Sequence, residues 1–361
     1  MAAANDWHTS PAPELRPDRL LDLLARHWGL GGRLDRLYAE RDLNHRLTTP
    51  DGQRWLVKLS HPDTTPARLR FEQEVLTQLS GMTGAPRVPG ILAGRNGESL
   101  LPVPRVGHLR VLEWLDGRAL GECTVNATRR EALGRCCARL SQALAALAPA
   151  AGGQETTPNP LPRDLPWDLL GLAKLAALIE SLPDASGRTL ASATLAAFER
   201  DTAARLQALP RQLIHNDLNP DNVLVDAAAP AAPPAVIDFG DMVRAPVICD
   251  LAIACAYHVD DGDEPLRHVR DIVGGFHAER PLEDRELALL PDLIAGRLSQ
   301  TLLIQGARFA GGAGDQEDTY RTAARLLSAL RDSNPDRQVE NLRGACAMPG
   351  NGGPGAEPPR D

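Results

Sequence analysis

Residues 212–241 run QLIHNDLNPDNVLVDAAAPAAPPAVIDFGD, and the rest of the chain can be ordered around them. Three short apolar runs, Leu213-Ile214, Val223-Leu224-Val225 and Val236-Ile237, have the length of buried strands. Around them stand three polar side chains, Asp217, Asn222 and Asp238, and strand edges are rigid supports that can aim such groups at one point. The Ala/Pro segment 227–234 between the last two runs reads as a hairpin loop without chemistry.

The residue types fit the transfer of a phosphoryl group to a hydroxyl. A hydroxyl is a poor nucleophile until a carboxylate lies within reach of its proton, which is the place of Asp217. Transferred phosphoryl charge is neutralised by Mg²⁺, a cation that wants hard oxygen ligands, here the Asn222 amide and the Asp238 carboxylate. Asp221, next to Asn222, points elsewhere. Asn, Asp and Pro also favour turns for conformational reasons alone. Turn formation does not explain why 215–222 has the form H-x-D-x-x-x-x-N and is followed in order by Asp238-Phe239-Gly240. His215 is read as packing the loop.

Upstream, Leu20, Leu21, Leu24 and Trp28 share a helical face that stops at Gly31-Gly32. Two alternating runs, 42–49 and 53–59, flank Pro50-Asp51-Gly52 as a hairpin. In the second run Arg54, Leu56 and Lys58 share one face, and Trp55, Val57 and Leu59 the other. A helix over 66–79 follows, with Phe71, Val75, Leu76 and Leu79 as its buried stripe and Glu72 at the border. Alone, Lys58 reads as an exposed strand lysine; in kinases the strand lysine that precedes such a helix holds the α- and β-phosphates and is itself held by a helix glutamate, here Glu72 with Glu74 as the alternative, a surface carboxylate being the other reading of either. Residues 41–45 occupy the place of a nucleotide-covering loop without its glycines, and Asn44 there is either a phosphate ligand or a turn residue. Further strands are read at 100–103 and 109–114, the second ended by Asp116-Gly117, and the backbone of Glu113 to Leu115 is available to an adenine or guanine edge. Helical patterns cover 126–147, 167–182, 188–209 and 247–257 and begin again near 266, 283 and 316. Within 247–257 Asp250 is the sole charge, and a buried acid needs partners.

These residues resemble the aminoglycoside phosphotransferase and choline kinase-like superfamily, which shares the protein-kinase fold. The carrying residues are Lys58, Glu72, His215 to Asn222, Ile237 to Asp241, and Asp250-Leu251-Ala252. The wording IHNDLNPDNVLVD, VIDFGDMVRAPVICDLAIACAY and LPWDL looks most like the hydroxylysine kinase branch. The resemblance spans nearly everything from Leu20 to Leu330. It implies an α+β, protein-kinase-like two-lobed fold, with a small β-rich N-terminal lobe and a large, mainly helical C-terminal lobe. It also implies Asp217 as base, Asn222 and Asp238 as magnesium ligands, ATP or GTP as donor, and Asp250 as a structural acid. The boundaries expected are 1–115 for the N-terminal helix and nucleotide-binding lobe, 116–333 for the catalytic and substrate lobe, and 334–361 for a disordered tail.

Composition sets outer limits. The 361 residues are 43% hydrophobic, ample for two lobes. A net charge of -8 offers no basic footprint for nucleic acid. No signal peptide and no stretch approaching a membrane span are read, so a soluble cytoplasmic protein is expected. The six cysteines form no C-x-x-C pair and fall mostly in helical patterns, as buried small apolar residues do. The expected partners are a nucleotide and a small hydroxyl acceptor of the hydroxylysine type; an aminoglycoside, homoserine or choline-type acceptor is the alternative. The acidic run Asp260-Asp261-Gly262-Asp263-Glu264 is either a field favouring a cationic acceptor or a solvated loop. A pseudokinase would lack the base or a metal ligand, and a two-metal phosphohydrolase would need more clustered carboxylates and histidines than are present.

Overall fold

The computed structural model describes residues 12–39, 41–147, 161 and 165–347. The segment 148–166, whose Pro, Gly and Thr content reads as a loop, falls almost wholly outside these, as does 348–361.

The runs either side of Pro50-Asp51-Gly52 pair as an antiparallel hairpin, and Gly52 takes the left-handed backbone (φ 85°) that the turn demands. They are the second and third strands of a five-stranded sheet made of β1 (Arg33–Leu37), β2 (Leu43–Thr48), β3 (Arg54–Ser60), β4 (Leu101–Val103) and β5 (Gly107–Glu113). The order is β1-β2-β3-β5-β4 with every neighbour antiparallel. Strand alternation sorts the faces. Val57, Leu59, Leu109 and Val111 bury against Leu20 and Leu24 of the helix Pro17–His27, whereas Leu56, Lys58, Arg110 and Leu112 face the interlobe cleft.

The second lobe is built on helices. The helix Ala127–Ala146 begins at Asn126, whose side chain accepts the Arg129 N–H at 3.0 Å. It packs closely on the helix Val269–Glu279 because both carry a glycine at the crossing. A Cβ on Gly134 would stand 2.0 Å from the Ile272 carbonyl, and one on Gly275 2.2 Å from that of Glu131. The short strands that carry the polar motifs bury their apolar residues in the core of this second lobe. Val223–Val225 pairs with Ala235–Val236, making 227–234 the expected hairpin loop, and Gln212–Ile214 pairs with Val243–Ala245.

Three expectations are corrected. The span Asp284–Ala310 is long and apolar enough by composition to cross a membrane, contrary to the sequence reading, but 83% of that apolar window is buried in the fold, as befits a core helix. Residues 335–347 form a helix where a disordered tail was expected. Asn334 caps it by accepting the Arg337 N–H at 2.9 Å, Pro335 occupies its first turn, and Leu342 is fully buried. Finally, Leu169–Ser181 winds as a 3₁₀ helix, because Leu169, Leu172, Leu175 and Leu178 recur every third residue and all bury on one edge.

Candidate active site

The loop 215–222 is held from below by one buried acid. Asp250, in the helix Ile248–Ala256, accepts the backbone N–H groups of His215 at 2.9 Å and Asn216 at 2.7 Å. Burial pushes its carboxyl above the usual range, against the lowering effect of His215 and the two N–H donors. Asn216 is held in the left-handed region at φ 67°, as is Asp238 at φ 61°, an unusual conformation for residues with a Cβ and one that tends to collect at working sites. His215 ties the loop to the strand of Asp238. Its Nδ1 accepts the Asp217 N–H at 3.2 Å, which leaves Nε2 to donate to the Ile237 carbonyl at 3.1 Å, and its ring stands edge-on to Phe239 at 4.7 Å. The packing role expected for His215 is what these contacts describe.

Asp217 is gripped at both oxygens. Oδ2 accepts from Asn222 Nδ2 at 2.7 Å and from Asn219 Nδ2 at 3.0 Å, and Oδ1 accepts from Arg297 Nη2 at 3.1 Å. Because Asn222 turns its NH₂ to Asp217, donating also to the Asp217 carbonyl at 3.0 Å, its amide oxygen is left for a cation. Asp238 is half exposed to the cleft and pairs with Lys58 Nζ at 3.0 Å. The Lys58 ammonium holds the Asp238 carboxyl below its usual range against the opposing effect of burial. Burial pushes Lys58 down, but Asp238, Asp42 and Glu72 more than offset it and the net direction is up.

Asp217, Asn222, Asp238, Lys58, Glu72, Asn44, Glu113 and Leu115, drawn from segments far apart in the chain, all line one interlobe cavity of about 530 Å³. That volume suits a small-molecule site. Asn44 lies opposite Lys58 in the β2–β3 register, and its Oδ1 is a buried acceptor with no hydrogen-bond partner among the described residues. The Glu113 N–H already donates to the Gly90 carbonyl at 2.8 Å, so at this edge a donor to a base would have to be Trp114 or Leu115. Among the described residues no group of three or more His, Cys, Asp or Glu could hold a metal.

The partner of Glu72 differs from expectation. Glu72, read as bordering the buried stripe of the helix Pro66–Ser80, is itself buried, with Leu69 and Gln73 buried beside it and Phe71 only half-buried. Its ion pair is with Arg110 Nη1 at 3.0 Å, and Lys58 bonds to Asp238 instead. Arg110 is the cross-strand neighbour of Lys58, so two cations share the cleft face and the more buried one takes the helix carboxylate. Glu74 points outward to Gln78 at 3.2 Å. Arg110 and Arg297 are the site residues that the sequence reading missed. Arg110 stands inside the apolar run Leu109 to Leu112, and Arg297 sits between Leu293-Ile294-Ala295-Gly296 and Leu298, which is the signal that could have found them.

The profile of the APH phosphotransferase enzyme family matches residues 39–287. The hydroxylysine kinase of Mus musculus is 24% identical over 276 residues, covering 71% of this chain and 70% of the relative. In fold, the chain is similar to a microcompartment-associated aminopropanol kinase, with TM-score 0.64 and 19% identity over 91% of this chain and 98% of that one. It is also similar to the amicoumacin kinase hAmiN in complex with AMP-PNP, Ca²⁺ and Ami, with TM-score 0.67 and 16% identity over 90% and 97%.

Proposed function

The chain belongs to the APH phosphotransferase enzyme family and is a small-molecule kinase, and from that premise we propose that it phosphorylates a small amino alcohol or hydroxy amino acid of the hydroxylysine type, using ATP or GTP. The observation that carries this reading is the convergence of Asp217, Asn222, Asp238 and Lys58 on one cavity. Asp217, its carboxylate aimed by Asn222, Asn219 and Arg297, accepts the proton of the acceptor hydroxyl. The acceptor oxygen bonds to the γ-phosphorus as the bond to the β–γ bridging oxygen breaks, and the nucleoside diphosphate leaves with that electron pair. Lys58 neutralises phosphate charge. Asn222 and Asp238 would hold Mg²⁺, whose chemistry when bound is to offset charge on the β- and γ-phosphate oxygens.

The acceptor class is supported by the hydroxylysine kinase relative. The acidic run 260–264 lends no such support. Asp260 pairs with Arg267 at 2.5 Å, Asp261 with Arg325, and Glu264 with Arg337 at 3.0 Å. Phosphate transfer to hydroxylysine, homoserine, choline, ethanolamine and kanamycin, measured under matched conditions, tests the acceptor; hydroxylysine is expected to lead. Robust transfer to choline or kanamycin with none to hydroxylysine rejects the acceptor class.

A second measurement tests the cation ligands. Nucleotide and Mg²⁺ at about a hundred times their joint Kd stabilise a fold by about 2.7 kcal/mol. Asp238→Ala is expected to lose the magnesium-dependent part of the thermal shift. An undiminished shift in that variant would remove Asp238 from the ligand set.

A further inference from the structure

We infer that Arg297 is a positioning residue for the transfer, a buried guanidinium that fixes the Asp217 carboxylate and braces Trp167 in the cavity wall. The inference rests on Asp217 being the base.

Arg297 lies mid-way along the core helix Leu290–Ala310 and is 2% exposed. Its Nη2 donates both to Asp217 Oδ1 at 3.1 Å and to the Tyr257 hydroxyl at 3.2 Å, and its guanidinium lies 4.5 Å from the Trp167 ring centroid. Asp217 and Trp167 line the cavity, and Arg297 braces both while itself almost sealed from solvent. The arrangement is poor as a device for stability. A guanidinium has five N–H donors, yet Nε and Nη1 of Arg297 are buried with no hydrogen-bond partner among the described residues. Orphaned donors and a desolvated cation both cost stability, and buried ion pairs of this kind are often matched or bettered by apolar residues of the same volume. An arginine buried mid-helix between Leu293-Ile294 and Leu298 is explained by what it does to Asp217.

That effect is geometric. Asn222 and Asn219 hold Oδ2 from one side; without Arg297 the other oxygen has no side-chain anchor among the described residues and the carboxylate can turn about its Cβ–Cγ bond. Misplacing a catalytic group by about 1 Å can cost on the order of 10²-fold in rate. Lysine keeps the charge but not the planar fork. Methionine keeps only bulk.

The test is a set of four variants, Arg297→Met, Arg297→Lys, Asp217→Asn and the double variant Asp217→Asn with Arg297→Met. Each is assayed with Mg·ATP and hydroxylysine, or with whichever of the five acceptors above is turned over fastest. R297M is expected to lose about 10²-fold in kcat with the KM for ATP unchanged. R297K should recover part of the loss, and the double variant should be no slower than D217N. A kcat within about twofold of wild type in R297M overturns the inference, as does a loss that multiplies in the D217N background, since either would make the arginine's role independent of Asp217. Should R297M fail to fold, R297K decides: a lowered kcat at unchanged ATP KM supports positioning, and an unchanged kcat overturns it. The D217N variant alone reports on the base. If it retains full turnover the base assignment fails, whereas a dead D217N beside a fully active R297M refutes only the inference drawn here.

Discussion

Asp217→Asn is expected to lower kcat by about 10²- to 10⁴-fold while leaving nucleotide binding in place. The substitution preserves shape and removes the proton acceptor, so its effect falls on the step in which the acceptor hydroxyl is deprotonated. It is not wholly silent elsewhere. Both oxygens of Asp217 accept from donors, Asn222 and Asn219 on one and Arg297 on the other, and an amide must set its own NH₂ against one of those donors. Binding therefore has to be measured beside turnover, by the nucleotide thermal shift and by the KM for ATP. A fall in nucleotide affinity equal to the fall in kcat would make Asp217 a binding or folding residue and leave the reaction without its base.

Much of this site was legible in the sequence because its parts are local. The loop 215–222 and Asp238-Phe239-Gly240 each occupy a few consecutive residues between short apolar runs, and the runs are strands as their length implies. Lys58 was legible because strand alternation assigns it a face, and the β2–β3 hairpin fixes the register. Asp250 was legible as a charge that had to be paid for, and two backbone N–H groups at the base of the loop do so.

What was not legible depends on neighbours distant in the chain. Nothing in the helix 66–80 says that Glu72 meets Arg110 before Lys58; that follows from β3 pairing with β5 in a register that puts Arg110 beside Lys58. Arg297 stands 80 residues beyond Asp217, and its meaning appears only when the core helix lies against the loop. The helix at 335–347 is obscured differently: the Pro- and Gly-rich composition after 347 masks a segment whose own Asn-Pro start is a capping signal.

Glu72→Ala is expected to destabilise the fold by about 3–5 kcal/mol, because it leaves a buried cation without its counter-charge. Arg110 is 2% exposed, and its Nε and Nη1 have no aligned hydrogen bond among the described residues; the pair with Glu72 is close but not geometrically good. Little else nearby could replace the carboxylate, since Asp238 is already engaged by Lys58. Against a typical net stability of about 5–15 kcal/mol the loss is large and should appear as a lower denaturation midpoint at unchanged slope. Had Glu72 served Lys58 alone, the same variant would keep its midpoint and lose nucleotide affinity. The two roles are not wholly separate, because the Glu72 carboxylate also raises the Lys58 pKa. A double variant divides them. Glu72→Leu with Arg110→Leu removes both buried charges, so it should regain most of the stability that Glu72→Ala loses, while the nucleotide shift reports what Lys58 has lost. An unfolding free energy for Glu72→Ala within about 1 kcal/mol of wild type would mean that Arg110 does not depend on this carboxylate, and the helix glutamate would return to Lys58.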